Sequence, residues 1–456
     1  MSALGVRQVG YNSKRQVLQL MRWFLQAHIL RHLLRIVITL LLLPLNNTIL
    51  FVAVAIRYIS SVFSLSASAA RRHEILRDVR FHPKTILIAG LNSPEGLRIA
   101  RCFYQEGHRV VGADITDSHL TAGEGMSRSL VAYYRVPKLQ YVSKLLDIIQ
   151  REKVDMWIPL SQDTSVTDDA MVKHAIEGRT GCKCIAFDAE IATRWSSAES
   201  FRQYLIENDL PIMERHNVQS RDSIHKILHR SPKKVYHMRR SAPGFKLDEI
   251  IDLPKRTLSL TYLEVSQLQI SKDSPWIMEQ HARLGEFLAD VLMIRGHIAA
   301  MIVRPVDGES DWGYSPLTDG LSSSIEQIMN KFASMGGPRA TGHLSVRLIV
   351  DEELDINSIR YVVYLAGCAQ GAAAFTHLLQ IKPPHTLVNG YLAMLSGVGV
   401  LLAMLDFTQR FNLVFDGPGE AFGQRFSIAD PLPWWWHMHI YRPLSELHLM
   451  FSRKRY

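Results

Sequence analysis

The chain has 456 residues, of which 47% are hydrophobic and 21% are charged. A chain of this length exceeds one ordinary core and predicts roughly two to three domains, and its composition excludes a mainly disordered chain or a coiled coil. With only 4 cysteines, it is not a disulfide-stapled secreted scaffold. A net charge of +9 is compatible with several anionic partners and identifies none of them.

The run from Ile36 to Ile56 contains no charged side chain and is bracketed by Arg35 and Arg57. As one helix it would be about 30 Å long, which matches the hydrocarbon core of a bilayer. It lies too far from the start of the chain for a cleaved signal peptide. The run therefore predicts a membrane anchor and a membrane-associated protein.

The interior of this run, Pro44-Leu45-Asn46-Asn47, leaves its membrane topology open. A single spanning helix is awkward because proline removes a backbone donor and two amides near the midplane would have no evident partner. The competing interpretation is a re-entrant hairpin with the Pro-Asn-Asn stretch at its tip. Basic residues on both flanks favour the hairpin, with the globular part on the cytosolic side. A buried helical hairpin within the globular fold is the third alternative.

From Lys84 onwards, short apolar runs alternate with segments of helical period. Predicted strands cover residues 85–90, 110–114 and 154–160, and predicted helices cover residues 96–106 and 139–153. This order predicts a doubly wound α/β unit. Gly90 and Gly96 do not have the G-x-G-x-x-G spacing, so dinucleotide binding has little support. Asp114, at the end of the second strand, is either a ribose ligand or a plain cap.

The following part of the chain mixes strands and helices less regularly. Helices are predicted over residues 195–208 and 322–333, and strands over residues 235–238, 276–280, 287–294, 297–304, 343–351 and 361–365. Strands around helices in this arrangement predict an α+β domain.

Familiar chemical motifs are absent from the sequence, which has no P-loop, no H-E-x-x-H and no G-x-S-x-G. Cys182 and Cys184 have the wrong spacing for a zinc knuckle, so no metal site is expected. Asp163, Asp168 and Asp169 follow the third strand and are interpreted as a solvated loop or a helix start rather than an acidic site. Nucleic acid is not expected as a partner, because the basic residues lack an aromatic-interleaved stripe.

The tail carries Trp434-Trp435-Trp436 followed by His437 and His439. The two imidazoles are predicted to lie on one side of an extended chain. The adjacent tryptophans favour an interfacial or packing belt over a metal site.

The order of the segments resembles the ATP-grasp superfamily, specifically membrane-anchored fungal carboxylate–amine ligase-like proteins related to the carbamoyl phosphate synthetase large chain. The resemblance covers roughly residues 84–443. It is carried by KTILIAGLNSPEGLRIARCFYQEGHRVVGAD, SRSLVAYYRVPKLQYVSKLLDIIQREKVDMWIP, SPWIMEQHARLGE, TGHLSVRLIVDE and DPLPWWWHMHIYRP.

The resemblance implies a fold class of α/β plus α+β, with an N-terminal membrane segment, a doubly wound pre-ATP-grasp unit and a two-lobed ATP-grasp-like domain. The expected domains are a membrane-anchoring segment (1–80), the pre-ATP-grasp-like domain (81–192), the ATP-grasp-like domain (193–400) and a Trp-rich C-terminal extension (401–456). Relatives bind ATP and magnesium between the lobes and phosphorylate a carboxylate, and an amine then attacks the acyl phosphate.

Four residues match the nucleotide positions of the family. Arg239 stands where relatives carry the ATP lysine, Glu279 and Gln280 match the hinge that meets adenine and ribose, and Glu286 matches the following G-x-E. The resemblance therefore implies a cofactor-binding role for these four residues.

The phosphate and magnesium positions depart from the family pattern. Ala198 replaces a phosphate-facing lysine and Arg347 replaces an aspartate. The family's E-C-N-P-R falls on Gly367-Cys368-Ala369-Gln370-Gly371, where Cys368 alone is retained. These substitutions remove the cations and metal ligands that the reaction needs, so no metal ligand is assigned.

Three functions are considered. The first is a membrane-anchored ATP-grasp-like protein with a degenerate nucleotide site, an accessory or repurposed component of a fungal specialised metabolite pathway whose partner is a pathway enzyme or a lipophilic small molecule. The alternative is an active ATP-dependent ligase that forms an amide through an acyl phosphate. The third is a cleft reused without ATP, for which His343, Cys368 and His377 are candidates.

Overall fold

The computed structural model describes residues 32–62, 67–116, 123–232, 234–240, 251–270, 276–282, 284–306, 319–355, 358–381, 384–395, 426–427 and 430–452. The chain divides into two compact units, one of Met1–Val154 with Pro418–Tyr456 and one of Asp155–Gly417. The fold is mixed α/β, with parallel strands and two antiparallel sheets. The four-domain division remains a prediction.

The elements are numbered along the chain. The helices are α1 (His32–Leu41), α2 (Leu43–Val62), α3 (Ala67–Arg77), α4 (Pro94–Gln105), α5 (Tyr141–Glu152), α6 (Val166–Arg179), α7 (Ala189–Arg194), α8 (Ala198–Glu207), α9 (Arg221–Arg230), α10 (Leu258–Gln267), α11 (Asp319–Gly336), α12 (Pro384–Leu392), α13 (Leu432–Trp436) and α14 (Arg442–Ser452). The strands are β1 (Thr85–Ala89), β2 (Arg109–Ile115), β3 (Ala132–Val136), β4 (Met156–Pro159), β5 (Lys183–Cys184), β6 (Arg215–Val218), β7 (Val235–Arg240), β8 (Ile251–Leu253), β9 (Trp276–His281), β10 (Gly285–Ile294), β11 (His297–Pro305), β12 (Gly342–Asp355) and β13 (Ser358–Gln370).

The first unit contains the parallel strands β3-β2-β1 in that order. All five residues of β1 are buried, as the apolar run predicts for a strand covered on both faces. Ser93 caps α4 by accepting a hydrogen bond from the Gly96 N–H. A Cβ at Gly96 would lie 2.4 Å from the Gly90 carbonyl oxygen, so Gly96 allows the helix to pack closely on the end of β1. The strands and helices predicted for this part of the chain are confirmed.

The apolar run forms two helices, α1 and α2, with a bend of 48° between them. In the described part of the chain, no single helix is long and apolar enough to span a membrane. The bent pair together is, judged by length and composition alone. The bend lies between Leu41 and Leu43, and Pro44, Asn46 and Asn47 lie in the first turns of α2. Proline is tolerated there because the first N–H groups of a helix have no intrahelical acceptor. The choice between a spanning and a re-entrant course stays a prediction.

The two asparagines have partners in the tail, contrary to the sequence-based expectation. The Asn46 Nδ2 lies 3.0 Å from the His439 Nε2, and the Trp435 Nε1 donates to the Asn47 Oδ1 at 2.7 Å. The prediction of an extended chain at His437 and His439 is also wrong. Both lie in a π-helical turn, His437–Tyr441, that continues α13 into α14.

A buried ion pair fixes the start of this tail to the α/β unit. The Asp430 Oδ2 accepts from the Arg101 Nε at 3.1 Å, from the Arg101 Nη2 at 3.0 Å and from the Ser127 Oγ at 2.5 Å. Its Oδ1 accepts from the Arg128 N–H at 3.3 Å. Both charged side chains are buried, so removing either one would leave the other as an uncompensated buried charge.

The second unit holds a parallel pair, β4 and β5, and two four-stranded antiparallel sheets. One sheet has the order β6-β9-β7-β8 and the other β11-β10-β12-β13. Helix α9 contributes Ile224 to the core of the first sheet, and α11 contributes Ile325 and Phe332 to the core of the second. The strands predicted for this part are confirmed, and so is the helix predicted over 322–333, which lies within α11.

The helix predicted over 195–208 is confirmed as α8, which begins three residues later than predicted. Helix α7 ends at Arg194, and Ser197 caps α8 by accepting from the Ser200 N–H. The interpretation of Asp168 as part of a helix start is confirmed, because Ser165 and Asp168 form a capping box on α6.

We expect Asp430→Ala to lower the free energy of unfolding of the first unit by about 3–5 kcal/mol, because it leaves a buried guanidinium without its carboxylate. The matched control is Asp147→Ala, which removes an exposed i,i+4 pair with Arg151 and is expected to cost about 0.3–0.5 kcal/mol. Denaturant titration of the detergent-solubilised chain, read by hydrogen exchange of α4, measures both. Equal effects of the two variants would contradict the structural role of Asp430.

Candidate functional site

The sheet β6-β9-β7-β8 has one apolar face and one polar face. Tyr236, Met238 and Met278 point into the core, so the alternating positions point away from it. His237 and Glu279 are directly opposed across β7 and β9, and Arg215 opposes Glu279 from β6.

Glu279 is held by two arginines on this polar face. Its Oε1 accepts from the Arg239 Nη2 at 3.0 Å and lies 3.2 Å from the Arg215 Nε. All three side chains are partly exposed. The structure thus brings together two of the four predicted nucleotide residues, Arg239 and Glu279, and joins them in an ion pair.

Gln280, the third predicted residue, is buried rather than presented to solvent. Its N–H donates to the Glu214 carbonyl at 2.9 Å, and its Nε2 donates to the Tyr364 hydroxyl at 3.0 Å. Tyr364 lies on β13, so this side chain links the two antiparallel sheets.

Glu214, just before β6, is a charged group that the sequence did not single out. It accepts from the Lys234 Nζ at 2.8 Å and the Tyr236 hydroxyl at 2.7 Å, and its Oε2 lies 3.3 Å from the His216 Nε2. Burial raises the pKa of Glu214, but these three hydrogen bonds outweigh it and lower the pKa to about 2.

The second sheet also has two faces. Phe287, Ala289 and Val291 of β10 belong to the core, so Glu286, Leu288 and Asp290 lie on the opposite face. Glu286, the fourth predicted residue, accepts on its Oε2 from the Arg347 Nε at 2.8 Å and from the Arg347 Nη2 at 2.5 Å. Both side chains are partly exposed.

Asp290 shares this face and is almost completely buried. Its Oδ2 accepts from the Arg304 Nε at 3.1 Å, while its Oδ1 has no partner among the described residues. The two-residue alternation from Glu286 to Asp290 is a signal that could have identified Asp290 from the sequence. Arg304 comes from the neighbouring strand β11, and its pairing depends on a register that the sequence does not encode locally.

Positions at which the sequence departs from the family pattern lie on the paired strands β12 and β13. Arg347 is opposite Gly367, and Ser345 is opposite Ala369. A Cβ added to Gly367 would have no described atom within 4 Å, so the missing side chain leaves open space there.

The remaining candidates are packing residues. His343 is buried, its Nε2 lies 2.6 Å from the Tyr391 hydroxyl, and burial lowers its pKa to about 3. The Cys368 Sγ donates to the Trp195 carbonyl at 3.4 Å, and burial raises the thiol pKa to about 12. A neutral buried thiol of this kind is not an activated nucleophile. His377 is half-buried at the start of the short helix Leu378–Gln380.

Asp114 acts as a cap in this structure. Its Oδ1 accepts from the Asn92 N–H at 2.8 Å and its Oδ2 from the Tyr133 hydroxyl at 2.7 Å. The interpretation as a plain cap is therefore confirmed at this position.

These donors do not fit a magnesium ion. Glu279, Glu286 and Asp290 each lie within 3.2 Å of an arginine nitrogen. In the described ranges no three His, Cys, Asp or Glu side chains are grouped as metal ligands. Mg²⁺ needs several hard oxygen ligands in near-octahedral geometry, which these paired carboxylates do not supply.

No protein-family model matches the chain, and no curated protein matches it. The structure is similar to L-amino acid ligase from Bacillus licheniformis (12% identity, 66% of this chain and 70% of that chain, TM-score 0.38). It is also similar to the biotin carboxylase subunit of pyruvate carboxylase (12%, 73% and 71%, TM-score 0.45) and to phosphoribosylglycinamide synthetase from Anaerococcus prevotii (13%, 66% and 72%, TM-score 0.39). At TM-scores below 0.5, these likenesses carry no argument about activity.

We expect Glu214→Gln to destabilise the second unit at pH 7 by about 1 kcal/mol, a modest value because the carboxylate is one-third exposed and solvent screens it. Since the pKa is lowered to about 2, the stabilisation is present above the ordinary glutamate pKa and is lost as the pH falls towards 2. The difference between wild type and variant should therefore shrink below about pH 5. Urea denaturation from pH 7 to pH 3 measures it, with the exposed carboxylate variant Glu199→Gln as control. A difference that does not change with pH would contradict the assignment.

Proposed function

We propose that this chain is an ATP-grasp-like protein with a degenerate nucleotide site. It associates with a membrane and acts as an accessory or repurposed component of a specialised metabolite pathway, as the resemblance to fungal proteins implies. The observation that carries the proposal is that the carboxylates on the polar faces of both antiparallel sheets are paired with arginines of the chain itself.

The charge balance explains why this pairing opposes metal binding. A guanidinium has the positive charge that a divalent ion would supply, and it forms charge-assisted hydrogen bonds with the carboxylate oxygens. A magnesium ion at Glu286 would have to displace Arg347 and would then lie beside a second cation. The site therefore favours its internal ion pairs over a metal.

The neighbouring strand supplies no replacement ligands. Gly367, Ala369 and Gly371 stand at the positions where the family carries glutamate, asparagine and arginine, and none of them has a polar side chain. Gly367 has no side chain although the space around it would accommodate one. Steric crowding therefore does not explain why the glutamate of the family is missing here.

The order of elements supports the family-level part of the proposal. Parallel strands in an α/β arrangement come first, and two four-stranded antiparallel sheets with helices follow. This is the layout that the resemblance implies for a pre-ATP-grasp unit and two lobes.

Membrane association is supported by the surface of α1 and α2. Leu41 is 73% exposed and Phe51 is 74% exposed, and most of the other outward positions of both helices are also apolar. An apolar surface of this extent on a protein marks an interaction site. The proposed partner enzyme or lipophilic small molecule would then be met at the membrane.

We expect Mg-ATP to produce no metal-dependent binding heat with the full-length protein in detergent, measured by calorimetry with EDTA as control. Arg239→Ala should leave this result unchanged, because Arg239 is engaged with Glu279. The positive control is the triple variant Arg347→Asp/Gly367→Glu/Ala369→Asn, which restores three oxygen ligands. Micromolar, EDTA-sensitive binding to the wild type would contradict the degenerate site and favour the active carboxylate–amine ligase.

We expect removal of residues 36–56 to shift the protein from floated liposomes to the soluble fraction. Because the deletion also removes structure, Leu41→Glu/Phe51→Glu tests the same surface by placing charge on two exposed apolar positions. Leu139→Glu is the matched control, since Leu139 is 99% exposed on another part of the same unit. Undiminished flotation of the double variant would contradict membrane association through this surface.

A further inference from the structure

Helices α1 and α2 bury several polar residues and expose most of their apolar ones. The buried positions His32, Thr39, Asn46 and Ala53 recur every seven residues and are 3–8% exposed. Leucines, valines, isoleucines and Phe51 occupy most of the exposed positions between them, where Arg35, Asn47 and Thr48 are the polar ones. A helix on the surface of a water-soluble domain has the opposite arrangement, so this pattern fits helices surrounded by hydrocarbon.

The C-terminal helices satisfy the inward polar groups. Glu446 of α14 pairs with His32 and with Arg35, whose Nη1 lies 3.1 Å from the Glu446 Oε1. Asn46 pairs with His439, and Asn47 with Trp435. We call these four pairs the polar seam. Along the polar seam the tail runs antiparallel to α1 and α2: Glu446 lies at the start of α1, and Trp435 lies at the start of α2.

The tail that carries the polar seam is fixed to the α/β unit. Asp430, five residues before Trp435, is held by Arg101 in the middle of α4 and by Ser127. Trp436 packs on Gly123, where an added Cβ would lie 2.6 Å from the tryptophan Cβ. The start of α2 is therefore tied to the face of the unit that carries α4.

The chain that follows α2 returns to the same helix. In α3, Arg71 forms an ion pair with Glu106 at 2.8 Å, and the Arg72 guanidinium lies 4.0 Å from the centre of the Tyr104 ring. Tyr104 and Glu106 are three and five residues beyond Arg101, so both attachments lie within about 8 Å along the axis of α4.

Chain length then excludes a transmembrane course for α2. If α2 crossed a hydrocarbon core of about 30 Å, the chain after Val62 would have to return the same distance to Arg71. The five residue steps from Val62 to Ala67 reach at most about 18 Å even when fully extended. The helical stretch from Ala67 to Arg71 adds about 6 Å. The total of about 24 Å is shorter than the hydrocarbon core that the chain would have to cross.

We propose that α1, α2 and the C-terminal helices form one monotopic element that lies in the plane of the membrane and is embedded in a single leaflet. The polar seam faces the protein, and the outward side chains, among them Leu34, Leu40, Leu41, Leu45, Phe51 and Tyr58, face lipid. This inference rests on the proposed membrane association and adds its geometry.

The lipid surface that fits this element is anionic. The sequences of α1 and α2 contain no Asp or Glu, while Arg57 stands at the end of the apolar run. A basic residue next to an embedded apolar segment is attracted to anionic headgroups. Vesicles of phosphatidylcholine with phosphatidylglycerol therefore serve as the probe.

The test places a fluorescent NBD label at Leu41→Cys, Phe51→Cys or Ile59→Cys of the full-length protein, added to preformed vesicles. All three positions are exposed. The native cysteines are buried or half-buried and stay in place, with wild type as the labelling blank. Val79→Cys, at an exposed position outside the apolar helices, is the aqueous control. Quenching by lipids with nitroxides at two depths gives the depth of each label, and external dithionite reports which leaflet holds it.

The in-plane arrangement predicts one shallow depth for all three labels and their complete reduction by external dithionite. A spanning arrangement would separate Leu41 from Ile59 by about 27 Å along the helix and protect one label until the vesicles are lysed, which would overturn the inference. In that case flotation with the vesicles would still support membrane association. Failure to float would overturn both.

Discussion

Arginines of the same chain pair with the carboxylates of Asp430, Glu279, Glu286 and Asp290. The consequence differs with burial. At Asp430 both partners are buried, and their pairing fixes the tail to the α/β unit. At Glu279 and Glu286 the partners are partly exposed, so each pair adds little stability. Its effect is to occupy oxygens that a magnesium-dependent site would need.

The tail connects this constraint to helices α1 and α2. Without it, buried polar groups of these helices would be unpaired in an apolar setting, each costing about 1–3 kcal/mol. With it, Asn46 and Asn47 have partners, and the same polypeptide is fixed at Asp430. Helices α1 and α2 and the C-terminal helices therefore form one structural element, in which the polar residues of the apolar run make specific contacts.

The sequence predicted most strands and helices because their signals are local. Buried runs such as β1 and the alternation in β12 depend on neighbouring residues only. What it could not predict are contacts between distant positions, such as Asn46 with His439 or Gln280 with Tyr364. The wrong prediction of an extended chain at His437 has the same origin. The helix that begins at Leu432 packs on Gly123, a contact between distant positions that no local sequence pattern indicates. At the candidate site, the family resemblance singled out Arg239, Glu279 and Glu286. The ion pairs that these residues form depend on the strand register, which the sequence alone did not give.

The proposed loss of a magnesium site would be hard to reverse by one substitution. Arg347→Asp alone would place a second carboxylate beside Glu286 after removing its counter-ion, and two like charges at that distance repel. Gly367→Glu alone would add a carboxylate opposite Arg347, where a further ion pair forms more readily than a metal site. Each single step therefore strengthens internal pairing or creates repulsion, and a magnesium site requires several changes together. Under the proposed function, this coupling accounts for strands that keep the expected order while the carboxylates of Glu279 and Glu286 pair with arginines of the chain.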